Sequence, residues 1–248
     1  DALPQLLEGI RTGRLDAEAA EVVVKLGQPI ESADDVQWLI NSFLNACLVR
    51  GQQGFTSADY KFGLAWHTKR LKELVELFPR ELAIKSLLDG LDHSNESGRI
   101  VAAQVLAAQP GDASELVTQL VAILRKSRWE ARHAALLCLS AMEVPVQPVC
   151  GALIDRLQDE ESQVRTAAAE ILGKFGPAAG PESASALSRM AREDKYPGSQ
   201  AAAVRALGNM GKLADPWKNT LQQLSKNGDL IVQREANQAL STLNSSKQ

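Results

Sequence analysis

The sequence is poor in most of the residues and patterns that announce chemistry. It has only three histidines, His67, His93 and His133. None has a second His, a Cys or a carboxylate at metal-ligand spacing, so no metal and no cofactor is expected. No GxSxG, GxGxxG or Walker A pattern occurs, which removes the usual signatures of serine hydrolases and nucleotide enzymes. Three cysteines form no CxxC and cannot all pair. Cys138 lies in an apolar helical pattern, and Cys47 and Cys150 have apolar neighbours. They are read as free, mostly buried thiols of a reducing compartment, the cytoplasm. No apolar run approaches the roughly 20 residues that cross a bilayer, so no membrane is expected. No signal peptide is read. The first residue is Asp1, which reads as a processed protein or a segment of something longer. Basic excess is lacking too: net charge is −3 and pI about 5.7, so a nucleic-acid partner is not expected. Aromatic residues are only 4%. A core without rings must be filled by Ala, Leu, Val and Ile, which suits closely packed helices.

What the chain does have is a beat. Arg99, Arg132 and Arg165 stand 33 residues apart, followed at equivalent positions by Gln200 and Gln233, with spacings of 35 and 33. Three residues after each comes an alanine: Ala102, Ala135, Ala168, Ala203 and Ala236. Seven residues after each comes a leucine: Leu106, Leu139, Leu172, Leu207 and Leu240. Offsets of three and seven share one face of an α-helix. A small residue there admits a close neighbour and the leucine fills the groove. Offset ten continues the face with Met142, Phe175, Met210 and Leu243, broken by Gln109. A second apolar helix precedes each of these, separated by short polar turns such as QDEES, and the units end at breakers such as Gly176-Pro177 and Asp215-Pro216. The extra length in one spacing falls in the turn REDKYPGS. The unit is therefore a helical hairpin that buries its apolar face only by stacking.

Residues 153–177, LIDRLQDEESQVRTAAAEILGKFGP, resemble the HEAT-repeat family. Leu157 closes the first helix, Asp159 stands in the turn, Val164-Arg165 opens the second helix, and Ala168, Leu172-Gly173 and Gly176 follow. The resemblance runs over roughly residues 80–244. It departs from the family where Gln200 and Gln233 replace the turn arginine and Lys126 the turn aspartate. It implies an all-α, right-handed α-α superhelix of about seven hairpins that serves as a binding surface or scaffold. It also implies a structural polar ladder involving Asp159, Arg99 and Arg165. Five repeats are expected at about 81–113, 114–147, 148–180, 181–215 and 216–244, after an irregular helical cap at 1–79 and before a polar tail at 245–248. In the cap, helices are expected at 2–12, 16–27, 33–50 and 57–78, with Asp16 and Ser32 as N-caps and Gly27 ending a helix.

The candidate site is the exposed, concave face of the second helices. Trp129, Arg132, His133, Leu137, Arg205 and Arg234 are the residues expected to meet a partner, because aromatic and Arg side chains dominate interface energies. That row is mixed in charge and holds no convergent catalytic set. Asp155, Asp159, Glu160 and Glu161 solvate a turn and a helix start rather than form a carboxylate pair. The expected function is thus a non-enzymatic interaction module or scaffold for another protein. The alternatives are an enzyme of the HEAT-like bilin-lyase or DNA-glycosylase type, or nucleic-acid binding without catalysis. The last rests on Arg125, Lys126, Arg128, Arg132 and His133 clustering around Trp129. No His-Glu dipeptide of the di-iron HEAT-like enzymes is present.

Overall fold

Apolar residues at helical spacing, interrupted by Gly, Pro and short polar turns, give helices of eight to nineteen residues. The computed structural model describes residues 2–11, 19–47, 57–126 and 128–245. Among them all regular structure is helical, with no strand. The chain divides into two units, Asp1–Gly111 and Asp112–Gln248.

The first unit contains α1 (Ala2–Arg11), α2 (Ala19–Leu26), α3 (Ala33–Ala46), α4 (Ser57–Val75), α5 (Arg80–Gly90) and α6 (Glu96–Ala107). Helix α1 packs on α2, α2 on α4, α3 on α5 and α6, and α5 on α6. Ser32 caps α3, its hydroxyl accepting from the Asp35 amide at 3.4 Å. Gly27 ends α2 at φ 60°, a conformation costly for other residues. The expected cap at Asp16 lies outside the described residues. The core is Ile40, Leu44, Leu71, Leu74, Leu87 and Leu91, all without solvent access. Asn95 caps α6 by accepting from the Ser97 amide at 3.0 Å. Its amide donates to the Leu44 carbonyl at 2.8 Å and so ties the α5–α6 turn to α3.

The second unit is a run of hairpins. These are α7 (Ser114–Lys126) with α8 (Trp129–Ala141), α9 (Gln147–Arg156) with α10 (Ser162–Phe175), α11 (Gly180–Glu193) with α12 (Pro197–Asn209), and α13 (Lys218–Asn227) with α14 (Leu230–Ser245). Short 3-10 segments at Gly176–Ala179 and Gly211–Trp217 link the last three hairpins. The second helices pack in sequence, α8 on α10, α10 on α12 and α12 on α14. The first helices form a parallel layer, α7 on α9, α9 on α11 and α11 on α13. This stacking of hairpins is an all-α solenoid.

The beat in the sequence marks the buried face of the second helix of each hairpin. All five alanines are fully buried, as are Leu106, Leu139, Leu172 and Leu207, while Leu240 on the last helix is half-buried. Each fully buried leucine contributes about 1.5–3 kcal/mol of apolar transfer. Within the second-helix layer of the second unit, backbones approach closely where glycine meets alanine. A Cβ on Gly173 would stand 3.0 Å from the Ala206 Cα, and one on Gly208 would stand 2.9 Å from the Ala239 Cα. The run of alanines in α12 buries Ala201 and Ala202 as well.

Candidate functional site

The turn between the two helices of each hairpin sets the geometry of the second helix's N-terminal end. Arg99 in the first unit donates from one Nη1 to the carbonyls of His93 and Ser94 at 2.8 and 3.0 Å. Arg165 does the same at the same offsets, to Asp159 and Glu160 at 2.8 and 3.0 Å. Gln233, at the equivalent position, keeps one of these bonds, to the Gly228 carbonyl at 2.8 Å. The side chain thus satisfies carbonyls of the turn between the two helices.

Two of the arginines also reach into the next hairpin. Arg132 donates through Nε and Nη2 to the two carboxylate oxygens of Asp159, at 2.8 and 2.7 Å. Arg165 grips Asp194 in the same bidentate way, at 2.6 and 2.9 Å. These are charge-assisted forks shielded from water: the Asp159 and Asp194 side chains are only 1% and 2% exposed. Burial pushes the Asp159 carboxyl up, but the Arg132 hydrogen bond, the Glu161 amide and the charges of Arg132 and Arg156 outweigh it and hold the group below its ordinary value. Hydrogen bonds donated to Asp159 and Asp194 raise the guanidinium groups of Arg132 and Arg165 above their already high range. Each aspartate also fixes its own turn, accepting from the amide two residues on, Glu161 at 3.1 Å and Tyr196 at 2.9 Å.

Arg132 therefore sits inside the stack, 9% exposed, with its guanidinium committed to Asp159 and, at 3.3 Å, to Glu160. Asp194 and Tyr196 belong to this constellation and are not singled out by the sequence, although Asp194 stands six residues before Gln200 just as Asp159 stands six before Arg165. Trp129 opens α8 and is half-buried, as are His133 and Leu137 on the same helix. Arg205 on α12 bridges its neighbours on either side: Nε meets Glu235 of α14 at 3.1 Å and Nη1 meets Glu170 of α10 at 3.5 Å. Arg234 is 73% exposed and also meets Glu235, at 3.0 Å. Burial pushes Glu235 up, but the hydrogen bonds from Arg205 and Arg234 outweigh it and leave the group below its ordinary value. The six residues thus fall on three helices of one layer, α8, α12 and α14, with α10 between the first two.

Large apolar side chains stand exposed at the edge of that layer. Tyr196, in the turn before α12, is 56% exposed, and Leu230 and Ile231, which open α14, are 81% and 37% exposed. The Tyr196 ring lies over the Arg165 guanidinium, 5.5 Å from its carbon.

All three thiols are free, and burial pushes Cys47 and Cys138 up to about 12. Among the described residues no three His, Cys, Asp or Glu side chains converge as metal ligands, and no helix is long and apolar enough to cross a membrane.

Residues 143–208 match the family model described as HEAT repeats. No curated protein sequence matches the chain. Two engineered proteins solved by a structural genomics consortium have the same fold. One is 19% identical, with 92% of this chain and 97% of that one covered and a TM-score of 0.55. The other is 20% identical, with 91% and 98% covered and a TM-score of 0.53. A structure titled "Crescerin uses a TOG domain array to regulate microtubules in the primary cilium" aligns over 81% of this chain and 88% of that one, at 18% identity and a TM-score of 0.43. The matched segment contains the Arg165–Asp194 rung and the Asp159 end of the other, and over those residues the chain is similar to HEAT repeats.

Proposed function

We propose that the protein is a non-catalytic docking module that binds another protein through the second-helix layer of its C-terminal unit and the turns at that layer's edge. The observation that carries this reading is the position of Tyr196, Leu230 and Ile231. They stand at the N-terminal ends of two helices that pack side by side, α12 and α14. An 81% exposed leucine adds almost nothing to the stability of the folded chain. Its transfer out of water, worth about 1.5–3 kcal/mol when complete, is available to a complex. Behind that edge lie Leu137, His133, Arg205 and Arg234, a mixed row of the kind that forms the polar surround of an apolar contact. Free thiols support a reducing compartment, the cytoplasm.

The test is partner capture from an extract of the source cells. Native protein is compared with Tyr196→Ala combined with Leu230→Asp, with Leu137→Asp combined with Arg205→Glu, and with Gln222→Ala on the exposed side of α13 as control. Loss of one specific partner in the first two variants, with retention in the control, supports the reading. Undiminished capture by both surface variants counts against it.

A further inference from the structure

The turns of the α9–α10 and α11–α12 hairpins enclose a cleft of about 470 Å³. Its floor is apolar: Leu157 and Met190, 4% and 5% exposed, with Ala186 beside them. The exposed ring of Tyr196 lines it as well. The charges around it are unequally matched. Every carboxylate on the lining has a cation: Asp194 has Arg165 at 2.6 Å, Asp159 has Arg132 at 2.7 Å, Glu160 has Arg132 at 3.3 Å and Glu193 has Arg192 at 3.5 Å. Arg189 and Lys195 also line the cleft, both exposed, and neither has a counter-ion among the described residues. Arg189 and Lys195 are therefore two cations without a counter-ion beside an apolar floor and an exposed aromatic face.

We infer that this cleft receives an acidic segment of the partner protein, with a carboxylate placed on Arg189 and Lys195 and an adjoining apolar side chain laid against Tyr196 and the Leu157–Met190 floor. The inference rests on the docking reading above and deepens it. A carboxylate gains from two unmatched cations without displacing any internal pair. A basic segment would meet only carboxylates already engaged, together with two repelling charges. The methionine offers a floor that deforms to the side chain laid on it.

The probes are dye-labelled decapeptides in which one leucine is flanked by Glu, by Gln or by Lys, read by fluorescence anisotropy against the full chain. The expected result is that the Glu peptide binds about tenfold more tightly than the Gln peptide and that the difference shrinks as salt rises. Arg189→Glu with Lys195→Glu removes the preference, Tyr196→Ala weakens the Glu peptide, and the circular dichroism melt of each variant stays that of the parent. Equal affinity for Glu and Gln peptides overturns the inference. So does preference for the Lys peptide, absence of Glu-peptide binding at millimolar concentration, or a preference that survives the double charge reversal. The two readings fail separately. Partner capture lost with Leu230→Asp but kept with Arg189→Glu and Lys195→Glu leaves the docking module standing and removes the cleft. Capture indifferent to every surface variant removes the module.

Discussion

Asp159→Ala is the sharpest test of how the stack is held together. The substitution strips Arg132 of its bonds to Asp159, at 2.8 and 2.7 Å, and leaves the Glu160 contact at 3.3 Å in place. It also removes an acceptor from Arg156 and from the Glu161 amide. The Arg132 side chain is 11% exposed, so water does not restore what is lost. Breaking a buried pair by removing one partner costs about 3–5 kcal/mol, and the remaining Glu160 contact places this case near about 3 kcal/mol. Arg132→Met with Asp159→Leu removes both charges and recovers at least half of that loss, because no orphaned guanidinium remains. The measurement is urea unfolding with hydrogen exchange read on α8 and α10, where the rung acts. A loss within about 0.5 kcal/mol for Asp159→Ala, the value of an exposed pair, would refute the reasoning. Acid gives an independent check. The native Asp159 carboxyl lies below its ordinary 3.8. Its contribution is therefore complete above that pH and is lost as pH falls from there toward the depressed native value. The acid limb of the stability curve is correspondingly shallower in Asp159→Ala.

Other substitutions separate packing from propensity. Gly151→Ala in α9, where an added Cβ meets nothing within 4 Å, stabilises by about 0.8–1 kcal/mol. Gly208→Ala destabilises by about 1–3 kcal/mol in the same melting assay, because its Cβ would stand 2.8 Å from the Ala239 Cβ. Leu207→Ala costs about 2–5 kcal/mol, and Leu240→Ala clearly less, since Leu207 is fully buried and Leu240 half-buried. Native protein treated with iodoacetamide at pH 8 labels first at Cys150, half-buried and raised by burial. Cys47 and Cys138, pushed to about 12, react only after denaturation, as peptide mass mapping will show.

The repeat was legible because its seam is periodic. Five alanines and five leucines at fixed offsets face the neighbouring helix, and burial follows. Helix α12 carries buried alanine on more than one face because it is packed on both sides, by α10 and by α14. The ladder was half-legible. Arg132 and Arg165 occupy one register position, yet the sequence points Arg165 to the ladder and Arg132 to the binding face with Trp129 and His133. Burial decides the role of that guanidinium, and periodicity does not encode burial of a charge. Asp194 keeps the register, six residues before Gln200 as Asp159 is before Arg165, but the longer turn REDKYPGS masks it, and the place of Tyr196 beside it has no signature in spacing. A turn's apolar residue turns inward or outward according to its neighbours, so the exposure of Tyr196 and Leu230 has no signature in spacing.

The rungs point one way along the chain. Arg132 is synthesised before Asp159, and Arg165 before Asp194. A hairpin leaving the ribosome thus presents a waiting guanidinium to the hairpin behind it. The incoming aspartate sets its own turn in the act of neutralising that charge. Gln200, the equivalent residue of α12, has no such charge to offer, and among the described residues the ion pair from α12 to the last hairpin is Arg205 with Glu235.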